Sequence, residues 1–134
     1  MTVIDTNILL DIYVFQDPET APLREALFSG ALDAVHCART INELADVLSR
    51  EKFGLTETQQ QTILAQWQQH SRCIPDAEIT ASPWKCKDQD DQIFLDLAYT
   101  LRPTTLLSKD VQVLKFRKRA AKEGVRIDHR LTLN

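Results

Sequence analysis

Apolar and polar positions along this chain follow two rhythms, one of strands and one of helices. Thr2-Val3-Ile4 is a short apolar run rich in β-branched residues, which predicts a buried strand ending at Asp5. Ile8, Leu9, Ile12 and Phe15 then recur at helical spacing until Asp17-Pro18 breaks the helix. Ala21–Phe28 carries Leu23, Ala26 and Leu27 on one side and stops at Ser29-Gly30. Ala34–Cys37 reads as a second strand, and Thr40–Arg50 as a helix with Leu44, Val47 and Leu48 on one face. A glutamine-rich helix over Thr56–His70 spaces Ile63, Leu64 and Trp67 for burial. Arg72–Ile74, before Pro75, predicts a third strand. Asp91–Leu101 follows as a helix with Phe94, Leu95, Leu97 and Ala98 inward, then Thr104–Leu107 as a fourth strand. Val111, Leu114 and Lys118 begin another helix, and Val125–Ile127 is a fifth strand. This alternation predicts an α/β fold, a mainly parallel sheet of four or five strands covered on both faces.

Length and composition narrow the class. A chain of 134 residues fits one compact domain, residues 1–134, with a real hydrophobic core. No apolar run approaches the ~18–20 residues of a membrane span. The first apolar run has neither a basic flank nor a small-residue cleavage site, so a cytoplasmic protein is expected. Cys37, Cys73 and Cys86 form no CxxC pair, and His36, His70 and His129 show no ligand spacing. A histidine/cysteine metal site is therefore not expected. Charge is uneven: residues 109–130 hold eight Lys and Arg against three Asp and Glu, the remainder eight against sixteen. A basic end of this kind suits a polyanion, although a solvated helix face is the commoner fate of such a run.

The acidic residues carry more chemistry than the basic ones. In parallel α/β folds ligands collect beyond the carboxyl ends of the strands, where helices begin. Asp5 ends the first predicted strand, with Asn7 two residues later. Glu43 opens the helix after the second strand; Asp88, Asp90 and Asp91 open the next long helix; Asp110 follows the fourth strand in Ser108-Lys109-Asp110. Each has a plain structural reading. Thr40-Ile41-Asn42-Glu43 matches a capping box, Asp88 reads as an N-cap, and Ser108 as a cap for the helix containing Asp110. Asp5 resists that reading best, because a carboxylate ending a buried strand is costly unless paired or metal-bound. Four such groups from four segments, if strand order brings them together, repel one another and attract a hard divalent cation. Oxygen donors suit Mg²⁺ or Mn²⁺, which can activate water against a phosphodiester.

The order of these blocks resembles the PIN-domain family, in particular its bacterial toxin-like branch. Val3-Ile4-Asp5-Thr6-Asn7 resembles the opening strand and Asp-x-Asn signature, and Asn42–Leu48 the block in which glutamate serves the metal site. Asp91–Ala98 is similar to the third block, with Asp91 seven residues before the helix alanine, and Leu106–Asp110 to the Thr/Ser-x-Asp block. The resemblance runs from about Val3 to Leu114. It implies a three-layer α/β/α domain and Mg²⁺- or Mn²⁺-dependent cleavage of RNA. The implied metal and catalytic set is Asp5, Glu43, Asp91 and Asp110. Asn7 and Ser108 are polar helpers, and Asp88 is a second choice beside Asp91. A metal-bound water is the expected nucleophile. The resemblance further implies a toxin held by a cognate antitoxin protein, and a homodimer. Lys109, Arg117, Arg119 and Lys122 are candidate RNA contacts, while Lys115 and Lys118 read equally well as solvent-facing.

Three rivals stand beside this reading. An aspartyl phosphatase using Asp5 would want a second acid where Asn7 stands. A phospho-receiver would want paired acids directly after the first strand, and Thr6-Asn7 does not supply them. A non-catalytic PIN-like module binding RNA or protein has no need of repelling carboxylates, although Trp67 and Trp84 offer partner-facing surfaces if they are not simply core.

Overall fold

A computed structural model describes residues 1–131; the last three residues of the expected 1–134 domain lie outside the described residues. The strands are β1 (Thr2–Ile4), β2 (Ala34–His36), β3 (Ser71–Cys73), β4 (Thr104–Leu107) and β5 (Val125–Asp128). The helices are α1 (Thr6–Tyr13), α2 (Ala21–Phe28), α3 (Ala38–Leu48), α4 (Glu57–Gln69), α5 (Gln89–Thr100), α6 (Val111–Leu114) and α7 (Arg117–Lys122). The five strands form one sheet in the order β3-β2-β1-β4-β5, every pair parallel. No helix among the described residues is long and apolar enough to cross a membrane.

Alternation along each strand divides the core into two layers. Val3 and Leu106 face one layer with α5, α6 and α7, where Phe94, Leu95, Leu97 and Phe116 pack. Ile4 and Leu107 face the other, against Ile8, Leu9 and Ile12 of α1, Leu44 and Leu48 of α3, and Trp67 of α4. The sheet is thus sandwiched between helices, as the strand-helix alternation predicts. Trp67 and Trp84 are both buried, so the core reading holds for them.

Local differences have local causes. Helix α1 stops at Tyr13, and Phe15 lies beyond it, exposed, its ring 5.9 Å from that of Phe53. The helix expected to begin at Thr40 begins two residues earlier, capped at Cys37. The Thr40 hydroxyl accepts from the Cys37 amide at 2.9 Å and occupies the third helical position. Glu43 therefore lies a turn inside α3 and the capping box predicted for it does not form. The single helix expected after Asp110 is two short ones, α6 and α7. Gly124, at φ +87°, takes the left-handed conformation that turns the chain from α7 into β5.

Candidate active site

Strand order creates the site. Chain connections run from β1 outward to β2 on one side, and β4 lies on its other side. A crevice at the carboxyl ends of a parallel sheet opens where the order reverses in this way. Asp5, directly after β1, and Ser108 and Asp110, directly after β4, are its two banks. The Asp5 amide donates to the Leu107 carbonyl at 2.9 Å, which holds the banks together.

Ser108 joins the acids. It is fully buried, and its hydroxyl donates to Asp5 Oδ2 at 2.6 Å while accepting from the Asp110 amide at 3.1 Å. Asp110 caps α6 by accepting from the Gln112 amide at 2.8 Å. Ser108 is thus a bridge between the Asp5 carboxylate and the Asp110 backbone amide rather than the cap expected from sequence. Asp5 occupies the N-cap position of α1, yet the Thr6 and Asn7 amides face it without closing a cap hydrogen bond.

Burial pushes the Asp5 carboxyl up to about 6, the Ser108 hydrogen bond working against this and the Asp110 charge adding to it. Asp91, in the first turn of α5, is pushed up to about 8. Burial is again the largest cause, followed by a side-chain hydrogen bond with Asp110 and the charges of Asp5, Asp110 and Asp88. Asp5, Asp91 and Asp110 are therefore one interacting group drawn from three segments. Glu43 is raised by burial, then by Asp90, Asp46 and Asp88, with Arg50 opposing. It stands with Asp88 and Asp90 across α3 and α5 and shares a shallow cavity of about 270 Å³ with Arg39, Asn42 and Asp90. Asp88 caps α5, accepting from the Asp90 amide at 2.9 Å, and its charge reaches both Glu43 and Asp91.

None of Asp5, Glu43, Asp91 and Asp110 forms an ion pair among the described residues, whereas other acids do. Asp128, ending β5, has Arg117 at 3.9 Å and Arg126 at 3.5 Å. The contrast is chemical. Hard oxygen donors without an ion-pair partner among the described residues, with the carboxyls of Asp5, Glu43 and Asp91 raised, suit a hard divalent ion. Among the described residues no three acidic, histidine or cysteine side chains are grouped closely enough to hold a metal ion by themselves.

A family model for the PIN domain matches residues 1–112. The chain belongs to the PIN domain family. PIN domains are generally nucleases that typically use divalent metals; in this one Asp5 and Asp110 stand at the β1/β4 crevice, with Asp91 interacting with both. A search of curated proteins finds no match.

The remaining sequence candidates scatter. Asn7 Oδ1 accepts from the Lys109 amide at 3.3 Å, so Asn7 steadies the turn after β4. Lys109 reaches back to pair with the buried carboxylate of Asp11. Arg117 leans on Asp128, and Arg119 lies 5.5 Å above the Phe116 ring. Lys122 ends α7, which runs back to the amino end of the sheet, away from the acids.

Sequence reasoning missed three residues that build the site. Asp11 left one trace, a lone acid among the apolar residues of α1, one turn after Asn7. Gln92 and Asp96, one turn apart on α5, left none. Gln92 accepts from the Cys86 amide at 2.6 Å and donates to the Trp84 carbonyl and to Asp96 Oδ1, each at 2.9 Å; Asp96 also accepts from the Ser82 amide at 2.9 Å.

Proposed function

We propose that this PIN domain is a divalent-metal-dependent endoribonuclease. The observation that carries the reading is the Asp5–Ser108–Asp110 bridge with Asp91 hydrogen-bonded to Asp110, a set of carboxylates unpaired with any protein cation. Asp5, Asp91 and Asp110 would hold Mg²⁺ or Mn²⁺, with Glu43 and Asp88 on the outer side. When bound, such an ion polarises a phosphodiester and acidifies a water. The chain's own residues do the rest. Ser108 keeps the two banks of the crevice in register and favours the charged form of Asp5. Asp91 and Asp110, whose carboxyls share a hydrogen bond and hence a proton, would give that proton up on binding the ion, so their ligation is coupled to proton release.

The test uses purified protein with mixed RNA, in Mg²⁺, Mn²⁺ or EDTA, beside Asp5→Asn and Asp91→Asn. Cleavage is expected only with metal, and either substitution should lower it by at least about a hundredfold. Cleavage that survives EDTA or both substitutions would sink the mechanism. Similarity of the four motif blocks to the toxin-like branch supports a toxin role restrained by a partner protein. Induced expression should then arrest growth, and Asp5→Asn should relieve it.

A further inference from the structure

The segment between β3 and α5 has little regular structure yet is tightly fixed. Trp84 is buried, with its ring edge-on to Tyr99 at 5.4 Å. The Ser82 hydroxyl donates to the Trp84 carbonyl at 3.1 Å. Gln92 and Asp96 of α5 take the Ser82 and Cys86 amides and the Trp84 carbonyl, so the backbone from Ser82 to Cys86 is bound to the helix that carries Asp91. The Cys86 thiol contacts the Gln112 carbonyl of α6 at 3.9 Å. It lies within electrostatic reach of Asp91 and Asp110 on one side and Lys115 on the other.

Lys85 and Lys87 flank Cys86 and are exposed, and neither forms an ion pair among the described residues. Lys115 is exposed on the neighbouring helix end, its ammonium donating to Gln112 Oε1 at 3.0 Å. Lys85 and Lys87 thus flank the residue that touches α6, and Lys115 ends that helix, whose other end is capped by Asp110. An acidic centre repels a polyanion, so a nucleic-acid strand needs compensating positive charge close by. Lysines on a backbone already held by Gln92, Asp96 and Trp84 supply it without ordering a loop on binding.

We propose that Lys85, Lys87 and Lys115 form a phosphate-binding rail beside Asp91 and Asp110 that carries the backbone of a single nucleic-acid strand through the crevice. This rests on the nuclease reading of the acidic end. It shifts the strand's path away from Arg119 and Lys122 on α7.

Binding is measured in the Asp91→Asn background, by anisotropy of a short labelled single-stranded RNA and of DNA with the same sequence, across a salt series. Lys85→Ala/Lys87→Ala/Lys115→Ala should weaken binding on the order of tenfold at low salt and reduce the slope of log Kd against log salt by about 2. In the Asp91-bearing protein the same substitutions should raise KM for RNA. Lys52→Ala/Lys118→Ala should leave binding unchanged. The tighter of RNA and DNA identifies the sugar the site accepts. Unaltered affinity and slope in the triple variant, or a loss that follows Arg119→Ala/Lys122→Ala instead, overturns the rail while leaving the nuclease reading intact. A parent that neither binds nor cleaves either strand overturns both.

Discussion

Ser108 shows how much one buried hydroxyl can decide. It is the smallest side chain able to donate to Asp5 while accepting from the Asp110 amide, and it is fully buried. Ser108→Ala removes the donor and leaves Asp5 buried without its main stabilising hydrogen bond, so the Asp5 carboxyl should rise further. Turnover should fall about 10–100-fold, the range for residues that orient metal-site ligands. The acid limb of the pH–rate profile should move to higher pH, because Asp5 then stays protonated longer. A lower rate with an unmoved limb would mean that Ser108 acts by packing alone.

At the scale of elements, the turn after β4 is fastened to α1 twice. The Lys109 amide meets Asn7 and its ammonium meets Asp11, residues one helical turn apart. The Asp-x-Asn signature therefore works through two elements: Asp5 contributes charge, and Asn7 with Asp11 fixes the segment bearing Asp110. Lys109→Met strands the Asp11 carboxylate, whose side chain is only 8% exposed. The cost should be about 1–2 kcal/mol, less than for a fully buried pair because Lys109 itself is half in water. Urea unfolding measures it, and Asp11→Asn/Lys109→Met should recover most of the loss. A double variant as unstable as the single one would show that the ion pair is not the cause.

For the whole molecule, the acidic crevice is a source of instability whose sign can be worked out. Asp5 and Asp91 have folded-state pKa values of about 6 and about 8, above the ordinary 3.8. The fold binds their protons more tightly than the unfolded chain does. Their contribution to stability is complete below pH 3.8 and is lost as pH rises through 6 and 8. In the absence of divalent ions, Tm attributable to these groups should fall between mildly acidic and alkaline pH, and Asp91→Asn should flatten the upper part of that decline. Mg²⁺ or Mn²⁺ at a hundred times its Kd should restore about 2.7 kcal/mol. A Tm indifferent to both pH and metal would remove the electrostatic basis of the site.

The local pattern was sufficient for the elements. Val3 and Ile4 alternate between faces, Ile8, Leu9 and Ile12 make one helical stripe, and Asp5, Asp88, Asp91 and Asp110 follow a strand or open a helix, because periodicity and capping are properties of neighbouring residues. Motif order was sufficient for the family. What the sequence could not determine was adjacency. That β4 lies beside β1, so that Ser108 reaches Asp5 across 103 positions of chain, follows from how two apolar layers pack around the sheet. The same packing groups Glu43 with Asp88 and Asp90, commits Lys109 to Asp11, and carries Lys122 to the far end of α7. It also sets the Lys85-Cys86-Lys87 stretch, unremarkable in the sequence, against α6 through the contact of Cys86 with Gln112. Charge runs are read along the chain, but a polyanion meets charges arranged in space, and only the tertiary structure decides which of them stand together.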